Sequence, residues 1–477
     1  MAIPKTLLLN KAEEDLIHEK SVECLKEIGV RVDSESVLEL LEKRGAPVDY
    51  ENHIAKITET MIHEALEAAP KKVILYGRDL KNDLELPVTN SPHSAMNGCA
   101  LFVRDKDTGE YRDSTARDAA DISKLTDGLD GIDIMWPAVS VTDMPPQAQT
   151  LYELWISLQN CSKHFQGDAV QGAHNARAQI EMASLIVGGE EELKKRPIIS
   201  MVACPLAPLS FEKGTIEAQV EFARAGVPIV STSVSIGGMT SPVTVAGMML
   251  NSNSENLASL VITQAAAAGA PHIYGAESSP MNMRTGSFNY DAPELGLTYC
   301  GLSQMSRRYN LPSSTGDFTG FRVDGDRKET LFGAFSRCFA ASSHTDIVTG
   351  LGAIDDAKGI CFKQLLIDAY TWECCRKYFA TIDITEEKLA LDIMKQVGPR
   401  GTFLTHRHTS KNYRNELISW DEGIYDLLTM ERDEQMERAG ELANEILKEH
   451  QVTPLAESIV TKGYEIIEAY EQKYGDG

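Results

Sequence analysis

Apolar and polar residues follow a repeated pattern along this chain, and eight copies of the pattern succeed one another between Ser91 and Ile384. Each copy has a short run rich in β-branched residues, a loop of Gly, Pro, Ser or Asp, and a segment with apolar residues at helical spacing, as in Ala148–Asn160 and Val243–Gly269. The predicted strands are Met96–Val103, Ile132–Ser140, Lys163–Val170, Pro197–Cys204, Val227–Ser235, Pro271–Ala276, Leu311–Gly316 and Asp346–Gly352. This rhythm predicts an α/β fold, a (β/α)8 TIM barrel with its active site on the loops that follow the strands.

Helical patterns flank the predicted barrel on both sides. We predict a helical N-terminal extension over residues 1–90, the barrel as catalytic domain over residues 91–384, and a helical C-terminal extension over residues 385–477. Asn10 is placed to cap the first helix, which we expect to end at Gly29. The predicted C-terminal helices are Lys388–Lys395, Asp421–Glu449 and Leu455–Tyr474.

The loops after the predicted strands contain few charged residues. Small residues, Met and aromatic residues dominate them, and the acids Glu277 and Asp317 each come just past a strand end. Acids at the strand ends of a barrel are functional more often than not. The loops contain no catalytic triad motif, HExxH motif, phosphate-binding Lys motif or dinucleotide fingerprint.

Composition narrows the classes of partner and compartment. The 477 residues carry a formal net charge of −24, which argues against nucleic-acid binding because phosphate contacts need clustered Lys and Arg. Nine scattered cysteines indicate a reducing compartment, and we expect a cytoplasmic protein without a signal peptide. The longest apolar stretch, Leu257–Tyr274, contains Ser, Thr, Gln, Pro and His, so we predict no membrane span.

Three segments together resemble one enzyme family. They are EKSVECLKEIGVRVDSESVLELLEKRGAPVD near the N-terminus, RDKDTGEYRDSTARDAAD in the first barrel unit, and GTFLTHRHTSKNYRNE over Gly401–Glu416. Each is weak alone, but in combination they resemble the trimethylamine methyltransferase superfamily, over nearly the whole chain. The resemblance implies a corrinoid-dependent methyltransferase of anaerobic methylamine and betaine metabolism, whose corrinoid is carried by a separate cognate partner protein.

One departure from the family pattern bears on the substrate. Archetypal trimethylamine enzymes carry pyrrolysine in the loop after the seventh strand, and here that stretch is Gly320-Phe321-Arg322-Val323-Asp324. The chain therefore resembles the members without pyrrolysine, with Arg322 at the pyrrolysine position. The resemblance implies a quaternary amine as substrate: glycine betaine first, then proline betaine, carnitine or γ-butyrobetaine.

A quaternary ammonium ion favours a soft, aromatic pocket, because rings attract cations through their electron-rich faces. Glu277 and Asp317 are candidates to balance the charge of the cation or to shape the pocket, and Arg322 is a candidate partner for a betaine carboxylate. Packing is the alternative role for each ring, and a salt bridge to Asp324 or Asp326 is the alternative for Arg322. The candidate rings at strand ends are Trp136, Phe165, Tyr274, Phe288, Tyr290, Phe318 and Phe321.

The sequence also bears on metal binding and on rival functions. A corrinoid-to-thiol methyltransferase with a zinc site needs a His-x-Cys motif, and none occurs, so we predict no metal in this chain. We expect His406 and His408 to be structural or to contact another subunit, in a homo-oligomer. Two other classes stay open: a barrel lyase or hydrolase with Glu277 and Asp317 as acid and base, and a non-catalytic betaine-binding protein.

Overall fold

The computed structural model describes most of the chain. The described residues are 6–98, 100–105, 108–168, 172–316, 338–339, 341–355, 357–379, 383–417 and 422–474.

A closed barrel of eight parallel strands forms the centre of the molecule, and its strands follow one another around the barrel in chain order. The register pairs Ile229 of one strand with His272 of the next, and Ser314 with Ile347. The prediction of a (β/α)8 barrel is confirmed. The strands are β1 His93–Met96, β2 Ile134–Met135, β3 His164–Asp168, β4 Ile199–Ala203, β5 Ile229–Ser233, β6 His272–Ala276, β7 Ser313–Thr315 and β8 Ile347–Leu351.

Helices surround the barrel and also make up most of the N-terminal and C-terminal extensions. The N-terminal helix begins as expected at Asn10, whose side chain accepts a hydrogen bond from the Glu13 amide while the Glu13 side chain accepts one from the Asn10 amide. The helices are α1 Lys11–Glu27, α2 Glu35–Lys43, α3 Glu59–Ala68, α4 Ala116–Asp127, α5 Gln149–Asn160, α6 Gly172–Val187, α7 Glu190–Lys195, α8 Lys213–Arg224, α9 Val245–Ala266, α10 Pro293–Arg308, α11 Phe362–Phe379, α12 Glu386–Leu389, α13 Leu391–Val397, α14 Arg407–Glu416, α15 Glu422–Thr429, α16 Arg432–Glu449 and α17 Glu457–Tyr474.

Short strands outside the barrel tie the extensions and loops to it. A four-stranded sheet places Ser210–Phe211 next to Val30–Val32, Ile54–Ala55 and Val48–Asp49 in that order, so the N-terminal extension is joined to the loop after β4. A second sheet has the order Ala353–Ile354, Gly359–Cys361, Phe102–Arg104 and Tyr111–Asp113. Two further pairs are Val73–Leu75 with Leu84–Leu86 and Ile236–Gly237 with Ser279–Pro280. Single 3-10 turns occur at Leu80–Asn82 and Pro146–Ala148.

The first barrel strand begins earlier than the sequence predicts. Met96–Val103 was the expected strand, but β1 is His93–Met96, and the strongest β-formers of the expected run, Phe102 and Val103, pair with Tyr111–Asp113 in a hairpin. Small residues such as Ser94 and Ala95 carry little β-propensity, and they are fully buried in the barrel wall. Burial in the closed barrel therefore outweighs local propensity at β1.

The last two C-terminal helices, α16 and α17, pack on the rest of the molecule. Gly463 of α17 lies against the buried Trp155 of α5, so closely that a Cβ at this glycine would lie 2.0 Å from the indole ring. Ala439 and Ala443 of α16 are buried as well. The division of the chain at residues 90 and 384 stays a prediction. In the described part of the chain, no helix has the length and apolar character that a membrane crossing requires.

Candidate active site

A cavity of about 210 Å³ lies at the carboxyl ends of the barrel strands. Every strand except β7, after which the described range ends at Gly316, contributes a lining residue from its end or the loop that follows it. The wall combines carboxylates, aromatic rings and small polar groups. The lining residues are Asn97, Gly98, Trp136, Asp168, Val202, Cys204, Thr232, Glu277, Tyr290, Tyr299, Thr349, Gly350 and Ala357.

Trp136 forms one side of this cavity. Its indole Nε1 donates a hydrogen bond to Asp168 Oδ2 at 3.2 Å, which couples the loop after β2 to the end of β3. Gly98 makes room for the ring, because a Cβ at this position would lie 2.3 Å from the indole Cε2. The Asp168 carboxylate thus fixes the position of the Trp136 ring, and the lack of a side chain at Gly98 leaves room for it.

Glu277 follows β6 and lies on another side of the cavity. Its backbone amide donates to the carbonyl of Ser233 at 2.9 Å, which continues the pairing of β5 with β6 past the strand ends. The Thr349 hydroxyl donates to Glu277 Oε1 at 3.2 Å. A Cβ at Gly316 would lie 2.3 Å from Glu277 Cγ. Contacts from the ends of β5, β7 and β8 therefore determine where this carboxylate lies.

The carboxylates of Asp168 and Glu277 raise the pKa values of neighbouring groups. Desolvation at the cavity wall, together with the charges of Glu277 and Asp168, raises the pKa of the Cys204 thiol well above its usual range even though the residue as a whole is exposed, so the thiol is protonated and weakly nucleophilic at neutral pH. Glu153 of α5 is buried and accepts a hydrogen bond from the Val141 amide at 3.3 Å. Burial and the Asp168 charge raise the pKa of Glu153 to about 7.

Three of the predicted site residues, Trp136, Tyr290 and Glu277, come together in the cavity. Phe288 lies one layer behind, with its ring 4.5 Å from the ring of Tyr290. The remaining candidates on the loop after β7 lie outside the described residues, and their roles stay predictions. They are Asp317, Phe318, Phe321 and Arg322.

Phe165 and Tyr274 do not line this cavity, and their predicted place in it is corrected. Successive side chains of a strand point to opposite faces, so in β3 the residue that shares the inner face with Asp168 is Gln166, and Phe165 points outward. Phe165 is buried in the apolar core between barrel and helices. Tyr274 is also buried outside the barrel, where its hydroxyl donates to Asn253 Oδ1 of α9 at 2.9 Å.

The prediction missed several lining residues: Asp168, Thr232, Tyr299 and Thr349. Asp168 is the last residue of its strand that points into the barrel. Once the strand limits are known, the alternation of side chains along the strand is enough to identify it. Thr232 and Thr349 follow the same parity inside β5 and β8. Tyr299 lies in the middle of α10, and only the packing of that helix over the barrel end brings it to the cavity.

The described residues contain no group of three or more His, Cys, Asp and Glu side chains arranged to hold a metal ion. The His406 side chain accepts a hydrogen bond from the His408 amide at 3.0 Å and so caps α14, a local structural use. That this chain needs no metal of its own stays a prediction.

Gly316→Ala tests the position of Glu277. The added methyl group must displace the Glu277 side chain, and because a misplaced active-site group costs activity steeply, we expect kcat/KM to fall roughly tenfold. Steady-state kinetics of the folded variant measure this. Gly440→Ala is the matched control, since its Cβ meets only the flexible end of Lys363. Equal kinetics for Gly316→Ala and the wild type would contradict the packing described here.

A (β/α)8 barrel with carboxylates and aromatic rings around a cavity at its strand ends has the architecture of a barrel enzyme. Comparison with known proteins gives the class of reaction. Residues 1–472 match the family described as trimethylamine methyltransferase (MTTB). The chain is 30% identical to trimethylamine methyltransferase MttB of Desulfitobacterium hafniense, over 97% of this chain and 94% of that protein.

Two other relatives show the breadth of the family. Trimethylamine methyltransferase MttB of Methanosarcina barkeri is 28% identical over 98% of this chain and 96% of its own length. A glycine betaine methyltransferase of Desulfitobacterium hafniense is 27% identical over 92% of this chain and 91% of its own. The chain belongs to the trimethylamine methyltransferase family and is a methyltransferase, which confirms the resemblance found in the sequence.

Proposed function

We propose that this methyltransferase moves a methyl group from a quaternary amine, with glycine betaine as first choice, to the corrinoid of a separate cognate protein. The observation that carries the proposal is the chemistry of the cavity wall. It contains Glu277, Asp168 and the rings of Trp136, Tyr290 and Tyr299, and among the described lining residues there is no Lys, Arg or His. Such a wall favours a cation and disfavours an anion.

The wall suits methyl transfer from a permanent cation. A quaternary ammonium releases a neutral tertiary amine, so the site needs no acid to protonate the nitrogen. The Co(I) form of the corrinoid supplies the nucleophile that accepts the methyl group. The residues of this chain orient the ammonium group: carboxylates balance its charge, and rings contact its methyl groups without donating hydrogen bonds. Orientation of this kind is worth on the order of 7–11 kcal/mol in well-ordered cases.

The substrate class is inferred from the family resemblance together with Arg322. An always-charged guanidinium cannot form the covalent adduct that an electrophilic imine forms. Because Arg322 stands where pyrrolysine is expected, trimethylamine should be a poor substrate. A betaine is favoured because its carboxylate can pair with Arg322 while the cavity holds the ammonium end. Proline betaine, carnitine and γ-butyrobetaine are the next candidates.

A turnover panel tests reaction and substrate together. The purified chain is mixed with a Co(I) corrinoid protein or free cob(I)alamin and each candidate amine, and methyl–cobalt formation is followed by absorbance. We expect glycine betaine to give the highest rate and trimethylamine to give none. Robust demethylation of trimethylamine, or consumption of a betaine without any corrinoid, would overturn the proposal and favour another amine or a lyase or hydrolase.

Arg322→Ala tests the proposed contact with the betaine carboxylate. Loss of one charge-assisted hydrogen bond is expected to raise KM for glycine betaine roughly tenfold, and trimethylamine should stay inactive. Arg322→Lys keeps the positive charge but cannot make a bidentate contact with a carboxylate, so its KM should lie between those of the wild type and Arg322→Ala. An Arg322→Ala variant with unchanged kinetics on every betaine tested would show that Arg322 does not bind the substrate.

A further inference from the structure

Six consecutive polar residues lie in the middle of α9, and all of them are buried. The run is Asn251–Asn256, with the sequence NSNSEN, and none of its members is more than 8% exposed. Asn and Ser are weak helix formers because their side chains compete for backbone hydrogen bonds, and a buried polar group costs free energy unless it is hydrogen-bonded. An apolar run would build this buried helix at lower cost, so the hydrogen-bond partners of the run indicate its role.

Glu255 is the charged member of the run and is fully buried. Its Oε1 accepts hydrogen bonds from the Leu209 amide at 2.8 Å and from Asn251 Nδ2 at 2.9 Å. Its Oε2 accepts one from the Ser233 hydroxyl at 2.5 Å. These donors are neutral, and burial raises the pKa of Glu255. Leu209 lies in the loop after β4 and Ser233 ends β5, so one buried side chain connects two strand ends at the cavity end of the barrel.

Two other members of the run hold the residues on either side of Glu277. Asn256 Nδ2 donates to the carbonyl of Gly275, two residues before Glu277, at 2.8 Å. The Ser252 hydroxyl shares a hydrogen bond of 2.7 Å with the hydroxyl of Ser278, the residue that follows Glu277. The helix thus fixes the chain before and after the carboxylate that lines the cavity.

Ser233 completes the connection between Glu255 and Glu277. Its hydroxyl donates to the Glu255 carboxylate, and its carbonyl accepts the Glu277 amide at 2.9 Å. Glu255 therefore lies two hydrogen bonds from the backbone of Glu277, although it belongs to a helix outside the barrel wall. We call the three side chains that act on the end of β6, those of Ser252, Glu255 and Asn256, the α9 clamp.

We propose that Glu255, as the centre of the α9 clamp, is a positioning residue for methyl transfer: it fixes the Glu277 carboxylate in the cavity without contact with the substrate. Glu255 is not among the residues that line the cavity. A functional group needs support from a second layer of hydrogen bonds, because a small displacement of the group costs much of its effect. This inference rests on the proposed function only through the role of Glu277 as partner of the cation.

A double-mutant cycle tests whether Glu255 acts through Glu277. Glu255→Leu removes the three hydrogen bonds, and we expect KM for the amine substrate to rise roughly tenfold with little change in kcat. Glu255→Gln keeps an acceptor for the Leu209 and Asn251 donors and a polar contact with Ser233, so its KM should stay within about threefold of the wild-type value. In the Glu277→Gln background, Glu255→Leu should add less than about threefold. A full effect in that background would show that Glu255 does not act through Glu277.

A second measurement does not depend on the substrate. Desolvation and then the charge of Glu277 raise the pKa of the Cys204 thiol, and the charge of Glu255 contributes as well. Displacement of Glu277 should lower that pKa, so iodoacetamide at about pH 9 should alkylate Cys204 roughly threefold faster in Glu255→Leu than in Glu255→Gln. Both variants lack the Glu255 charge, so the difference reports the position of Glu277. Mass spectrometry of the Cys204 peptide measures the rate.

The two measurements separate this inference from the proposed function. If Glu277→Gln leaves the kinetics unchanged, the proposed role of Glu277 fails, and the alkylation rates still decide whether Glu255 positions it. Equal alkylation rates in Glu255→Leu and Glu255→Gln would overturn the inference. Ser233→Ala removes a single hydrogen bond to Glu255 and serves if Glu255→Leu does not fold. Its KM should rise about threefold, and an unchanged KM would also overturn the inference.

Gln219→Leu is the matched control for loss of buried hydrogen bonds to α9. Gln219 of α8 is 1% exposed, and its Nε2 donates to the hydroxyls of Ser259 and Thr263. Thr263 lies next to His272, the first residue of β6, so these contacts are at the end of the barrel away from the cavity. The control should lower the melting temperature about as much as Glu255→Leu and leave the kinetics and the thiol alkylation unchanged. An equal rise in KM for both variants would show that lost stability, not position, causes the effect.

Discussion

We expect Glu277→Gln to raise KM by roughly 100-fold for every amine that the wild type uses. A 100-fold change in KM corresponds to a loss of about 2.7 kcal/mol of binding free energy. Two unit charges about 4 Å apart interact by about 4 kcal/mol at the effective dielectric constant of a protein surface. The interaction lost with the carboxylate charge is therefore large enough to account for this change in KM. Gln keeps the size of the side chain and an oxygen for the Thr349 hydroxyl. The change therefore removes charge and little else.

The split between KM and kcat is the sharper part of this prediction. With the proposed quaternary amine as substrate, the nitrogen loses its positive charge as the methyl group leaves, so the Glu277 carboxylate would stabilise the bound substrate more than the transition state. Removal of the charge should raise KM without lowering kcat. The same kinetics on Glu294→Gln, an exposed position on α10, serve as the control. A lowered kcat at unchanged KM would assign Glu277 a role in chemistry rather than in binding the cation.

Glu153→Gln should stabilise the protein at pH 8 by about 3 kcal/mol and leave it unchanged at about pH 4.5. The folded protein raises the pKa of Glu153 from 4.5 to about 7. Between these two values the unfolded chain has released this proton while the folded protein still holds it, so rising pH favours unfolding. The stability associated with the protonated carboxyl is therefore complete below pH 4.5 and lost as pH rises through about 7.

Unfolding midpoints in urea, measured between pH 4.5 and pH 8, test this prediction. Gln has no charge at any of these pH values and still accepts the hydrogen bond of the Val141 amide. The variant should therefore not lose stability as pH rises, whereas the wild type should. Glu294→Gln should parallel the wild type throughout. If the difference between Glu153→Gln and the wild type stays constant over the whole range, Glu153 does not titrate as described.

Local physics explains which parts of the fold were predictable. A strand buried on both faces needs a continuous apolar run, and a helix needs apolar residues on one face, so most barrel strands and helices appear within a few residues of their predicted positions. The cap at Asn10 and the C-terminal helix Glu457–Tyr474 follow from similarly local rules. β1 is the exception, because its small residues are selected by burial inside the closed barrel and carry no strong local signal.

Local pattern was a weaker guide to the site. Glu277 and Trp136 were predicted because residues just past a strand end reach the mouth of a barrel wherever that strand lies. Phe165 and Tyr274 were misplaced because a shift of one residue in strand parity moves a side chain from the barrel interior to the helix layer. Asp168 was missed for the same reason, although it holds the Trp136 indole.

The sequence by itself determined the eightfold order of strands and helices, the family and the excess of negative charge, since these depend on residue type and spacing along the chain. Only the tertiary structure decided which side chains meet: Trp136 with Asp168, Glu277 with Thr349, and Tyr299 over the cavity. These pairs are far apart in the chain, and closure of the barrel brings them together.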